Sequence, residues 1–139
     1  MKLQKASLFA LYAVLELASD PERQLSATDI ADSYGISTHH LAKVLRTLVR
    51  SGLVQAVRGA GGGYRFAGTT NRTTLLDVIH LFETLDSEHD LGELAGRPVL
   101  EELQCITDEI DDLTKAVLDT ITLETALAST RLRASFAVQ

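Results

Sequence analysis

Between Ser26 and Gly52 the chain writes the same short grammar twice: a capping hydroxyl, a helical run, then a glycine stop. Ser26-Ala-Thr-Asp29 supplies the first start. A serine oxygen satisfies an orphan backbone N–H there, and an acid in the first turn suits the helix dipole. Gly35 closes that helix, expected over 27–34, because glycine takes the left-handed cap conformation without a Cβ penalty. Ser37 opens the second run, Thr38 to about Arg50, with Leu41, Val44, Leu45 and Leu48 on one face, and Gly52 ends it. Two capped helices joined by a three-residue, glycine-centred turn are the sequence form of a helix-turn-helix.

The residues after Gly52 narrow the fold further. Leu53-Val-Gln-Ala-Val57 reads as a strand, Arg58-Gly-Ala-Gly-Gly-Gly63 as a loop, and Tyr64-Arg-Phe66 as the returning strand. A helix-turn-helix running straight into a β-hairpin is a winged helix. Upstream, Leu8, Leu11, Tyr12, Leu15 and Leu17-Ala18 recur at helical spacing, predicting an amphipathic helix over 4–19 that Asp20-Pro21 ends. Downstream, Thr74-Leu-Leu-Asp77 opens a helix expected to run to about Leu85, and residues 86–98 form an acidic connection. Val99, Leu103, Ile106, Ile110, Leu113 and Val117 are then spaced 4, 3, 4, 3 and 4 apart, a heptad seam that one helix cannot bury alone. Thr122 is expected to cap one last helical turn, and Ala128–Gln139 reads as a loosely held tail. The expected fold class is mainly α with a small β-hairpin wing. A winged helix-turn-helix domain spans 1–85, a connection and dimerisation helix 86–128, and a C-terminal tail 129–139.

Charge divides the 139 residues. Residues 1–72 hold nine Lys and Arg against five acids, whereas 73–139 hold four against fourteen, so +4 and −10 give the net −6. From Ser33 to Leu76 there is no acid at all. Such asymmetry suits one half to a polyanion while the other keeps the protein dissolved. The second helix of the pair presents Thr38, His39, His40, Lys43, Arg46, Thr47 and Arg50 away from its apolar stripe. Hydroxyls, imidazoles and cations at a helix N-terminus are the groups that read major-groove edges and hold phosphate. The glycine loop suits a wing tip, where the backbone approaches DNA closely and Arg58 enters the narrow minor groove.

Other chemistries fit poorly. His39 and His40 point about 100° apart on a helix and do not converge on a metal. His80 is expected on the polar or dimer-facing side of its helix, and His89 in the acidic connection. The glycine loop has Tyr64 where a dinucleotide fingerprint needs a third glycine, and a strand succeeds it instead of a helix. No serine sits in a G-x-S-x-G elbow, so no enzyme is expected. The single cysteine, Cys105, excludes an internal disulfide. No apolar run reaches about 18 residues, and the N-terminus reads as a helix, so a cytoplasmic location is expected.

In this order the elements resemble the bacterial winged-helix regulator family that includes IscR, NsrR and CymR. The carriers are Met1-Lys-Leu3, Ile30-Ala31, Gly35-Ile-Ser37, Leu48 to Val54, Arg58 to Tyr64, Thr74-Leu-Leu-Asp-Val78 and Ile121-Thr-Leu123. The resemblance implies a homodimeric DNA-binding regulator whose dimer forms through the long penultimate helix, here Val99, Leu103, Ile106, Ile110, Leu113 and Val117. It implies Ser37, Thr38, His39, His40 and Lys43 in the major groove, with Arg46 beside them. It further implies Arg58 with Gly61, Gly62 and Tyr64 at the minor groove, and Thr28 near a phosphate. Cluster-binding members carry three cysteines before the long helix, whereas residues 86–104 have none and Cys105 lies about one turn past the last family position. A cluster wants four ligands, so no cofactor and no metal are expected.

The expected function is a cluster-free, homodimeric transcription regulator, a repressor on a pseudo-palindromic operator. Two alternatives stand beside it: a protein-interaction module that has lost DNA binding, and a small nucleotide-using enzyme built on the glycine loop. The signal the regulator answers to is left open between a small molecule, a partner enzyme, thiol chemistry and none at all.

Overall fold

The computed structural model describes residues 1–87 and 92–137, with side chains to Thr130; His89 lies outside them. The elements run α1 (Lys5–Ala18), α2 (Ala27–Tyr34), α3 (Thr38–Ser51), β1 (Val54–Val57), β2 (Gly63–Phe66), α4 (Leu75–Ile79), a 3-10 turn (Gly92–Leu94), α5 (Pro98–Thr120) and α6 (Leu123–Ala137). None of the described helices is long and apolar enough to cross a membrane. The winged helix-turn-helix predicted from the two capped runs and the hairpin is present.

The caps explain the boundaries. Ser26 and Asp29 form a reciprocal box, each side chain accepting from the other's backbone N–H at 3.0 and 3.1 Å. Those bonds hold the Asp29 carboxyl below its ordinary value, the donation from the Ser26 backbone contributing most. Gly35 then takes φ +64°, which turns the chain into α3.

α1 lies at the centre, packed on α2, α3, α4, β2 and α6. Its buried face is Ser7, Ala10, Ala13, Val14, Leu17 and Ala18. The sequence pattern pointed to Leu17 and Ala18, which are buried, but also to Leu8, Leu11, Tyr12 and Leu15, of which Tyr12 is 37% exposed and the others half-buried. α1 is apolar on most of its circumference, so spacing could not say which face turns inward. Leu41, Val44, Leu45 and Leu48 of α3 close over it, each contributing roughly 1.5–3 kcal/mol by burial.

Two expectations about the second half are corrected. The helix expected over 74–85 stops at Ile79. The chain tightens through bonds from Leu81 to Val78 and from Phe82 to Ile79, and leaves the helical path at Glu83. That turn delivers the Glu83 carboxylate to the start of α1, where it accepts from the Gln4 backbone N–H at 2.8 Å and from the Ser7 hydroxyl. The single turn and loose tail expected after Thr122 are instead the 15-residue α6. Its Leu, Ala, Glu and Arg content favours helix without drawing an apolar stripe, so periodicity gave no signal.

The motifs at 74–78 and 121–123 meet. Thr74 and Thr122 form an antiparallel bridge, with Leu75 N–H donating to Ile121 O and Leu123 N–H to Thr73 O, both at 2.9 Å. Leu123 is thereby set fully inside the core built by α1 and α3.

Candidate nucleic-acid interface

α3 carries the site, and its apolar side fixes what its other side shows. Ser37 caps it by accepting from the His40 backbone N–H at 3.4 Å. With Leu41, Val44, Leu45 and Leu48 turned inward, Thr38, His39, Lys43, Arg46 and Arg50 stand exposed on the opposite side. The two neighbouring histidines part company. His39 is exposed, whereas the half-buried His40 sets its ring edge-on against Phe9 of α1, centroids 4.9 Å apart at 75°. The same divergence of adjacent helical positions that argues against a metal pair gives one imidazole to solvent and the other to packing. Thr28, the second residue of α2, is exposed.

Charge on this face is uncompensated. Among the described residues Lys43, Arg46, Arg50 and Arg58 enter no ion pair. The ion pairs lie elsewhere: Arg23 with Glu16 at 3.2 Å, and Lys115 with Asp86 and Asp112 at 2.6 and 3.5 Å. Cations held without carboxylate partners are available to phosphate oxygens.

The wing is a two-stranded antiparallel hairpin in which Val54 pairs with Phe66 and Val57 with Gly63. Arg58 leaves β1 exposed, and Gly61 is exposed at the tip. The glycines were read from sequence as room for DNA; two of them answer first to the protein's own backbone. A Cβ on Gly62 would lie 2.5 Å from the Val57 carbonyl oxygen, and one on Gly63 2.5 Å from that of Leu25. Tyr64 exchanges backbone hydrogen bonds with Leu25 at 2.8 and 3.0 Å while its half-buried side chain packs on the core. The wing is thus tied to the strand-like entry into α2.

Sequence reasoning passed over Arg65, whose guanidinium donates to Gln55 Oε1 across the hairpin at 3.1 Å. The alternation of Gln55 and Arg65 with their buried neighbours Val54 and Phe66 was the available signal.

The seam residues share one exposed stripe. Val99, Leu103, Ile106, Ile110, Leu113 and Val117 are each between 44% and 72% exposed in the single chain. A groove of about 360 Å³ lies at the C-terminal part of the stripe, lined by Met1, Ile110, Leu113, Thr114, Val117 and Leu118. Cys105 lies on α5 off this stripe, exposed. Among the described residues no three His, Cys, Asp or Glu side chains converge on a metal position. With one thiol in the sequence, the donor set does not fit an iron–sulfur cluster.

The chain is similar to known proteins. The Rrf2 family, described as iron-dependent transcriptional regulators, matches residues 3–129. The HTH-type transcriptional regulator BadM of Rhodopseudomonas palustris is 51% identical over 129 residues, covering 91% of this chain and 81% of that protein. CymR, the global cysteine regulator of Bacillus subtilis, superposes with a TM-score of 0.76 at 31% identity, over 93% of this chain and 98% of its own. IscR of T. potens does so with a TM-score of 0.74 at 27% identity, over 94% and 88%. The chain belongs to the Rrf2 family and is a DNA-binding transcription regulator with a winged helix.

Proposed function

We propose that the chain acts as a homodimeric repressor, without an iron–sulfur cluster, on a pseudo-palindromic operator. The observation that carries the reading is the uncompensated α3 face, Thr38, His39, Lys43 and Arg46, flanked by an exposed Arg58 at the wing. Lys43 and His39 reach base edges, Ser37 and Thr38 with the free N–H groups of α3 hold a phosphate, and Arg58 enters the minor groove. Thr28 holds a phosphate from the start of α2. His40 and Tyr64 serve the interface from behind, through Phe9 and Leu25.

Six apolar side chains left in water along α5 support pairing with a second copy. A two-fold axis through that seam puts two α3 helices on one side of a duplex, reading half-sites about 34 Å apart. Repression then comes from occupancy: a dimer across a promoter excludes polymerase.

The test is fluorescence anisotropy on a duplex selected from a random pool, titrated with salt. Arg46→Ala and Arg58→Ala should each weaken binding about tenfold at 0.1 M salt and lower the slope of log affinity against log salt by about 0.9 per half-site. Unchanged slopes in both variants would overturn the assignment of this face.

A further inference from the structure

We infer that Lys5 is a further phosphate contact, lying outside both α3 and the wing, so that the first turn of α1 forms part of the DNA footprint. The inference rests on the reading that the exposed face of α3 meets the duplex. Lys5 and Phe9 are four residues apart on α1 and therefore share one side of that helix. Phe9 is the residue whose ring meets His40, so this side of α1 reaches the N-terminal turn of α3 at His40. One turn before Phe9, the Lys5 side chain is exposed and, among the described residues, enters no ion pair. On this inference its ammonium adds to the unpaired cations Lys43 and Arg46 of α3 and meets the phosphate backbone flanking the major groove.

The neighbouring acid does not neutralise it. Glu83 is bound at Gln4 N–H and the Ser7 hydroxyl, and Ser7 lies about 200° round the helix from Lys5. Lys2 behaves differently. It lines a cleft of about 320 Å³ with Glu83, Asp86 and Asp111, on the α5 side of the chain. Two lysines three positions apart thus have different surroundings: Lys2 stands among carboxylates of the acidic half, and Lys5 does not.

The experiment is the salt titration of the full chain on a selected duplex and on a scrambled one. Lys5→Gln should weaken both complexes severalfold and lower the salt slope by about 0.9 per half-site, since a phosphate contact carries no sequence preference. Lys5→Arg should keep the wild-type slope, Lys2→Gln should leave it unchanged, and the melting temperature of Lys5→Gln should match wild type. A wild-type slope in Lys5→Gln, or an equal fall in Lys2→Gln, overturns the inference. If Arg46→Ala still lowers the slope in the same series, the α3 reading survives that failure. If it does not, both fall together.

Discussion

At Gly63 an added methyl group would sit 2.5 Å from the Leu25 carbonyl oxygen, a contact that backbone on both sides cannot relieve. Gly63→Ala should therefore cost about 1–3 kcal/mol in urea unfolding, as overpacking does, and loosen the wing from the body. An unchanged midpoint would show that β2 can slide. Tyr34 offers a second test at this scale. Its phenol donates to Glu16 at 2.8 Å and its ring stacks on Tyr12 at 5.0 Å. Burial first, then the hydrogen bond to Glu16, pushes its pKa up to about 12 from 10.0. The folded chain holds that proton more tightly than the unfolded one. The resulting stability is complete below pH 10 and is lost as pH rises through about 12. An ultraviolet titration should show one of three tyrosines ionising near 12, and Glu16→Gln should lower that value. Ionisation of Tyr34 near 10 would contradict the contact.

Among the elements, α1 begins with no side-chain cap of its own and borrows one from Glu83, 79 residues from Gln4. Hydrogen bonds to a charged group contribute roughly 1.5–3 kcal/mol, less where water competes, so Glu83→Ala should cost about 1–2 kcal/mol in thermal unfolding. Amide exchange should quicken in the first turn of α1; if it quickens only around residue 83, the cap is not functional. Local elements with their stop signals nearby were readable: Ser26, Asp29, Gly35, Ser37 and Gly52 set α2 and α3 from within a few residues. The Glu83 cap was not, because nothing in a window of sequence links residue 83 to residue 4. α6 was missed because its helix rests on composition and on the Thr73 to Leu123 bond, not on a stripe. The site shows the same division. The outward positions 38, 39, 43 and 46 come from the helical period, whereas His40 needed the neighbouring Phe9 to reveal its direction. Leu123→Ala should cost about 2–5 kcal/mol, as a core truncation does, although it lies far along the chain from the helices it packs against.

For the whole molecule, the charge division and the exposed seam describe one design. The basic half carries the face proposed for DNA, and the acidic half keeps six apolar side chains of α5 flanked by carboxylates. Glu102 and Glu109 border the stripe, so association through it is expected to tighten with added salt while DNA binding weakens. The two responses have opposite signs, which separates the seam from the α3 face in one titration series. The single sequence made the seam legible because its 4, 3, 4, 3, 4 spacing outlasts any packing the domain itself could give. The most direct test of the account is sedimentation equilibrium of the chain alone and with a selected two-half-site duplex, for wild type and Ile110→Asp. Wild type should sediment at twice 15.1 kDa at micromolar concentration and load two chains per duplex, while the variant stays at 15.1 kDa and loses high affinity. A wild-type chain that sediments singly and binds one to a duplex would contradict it.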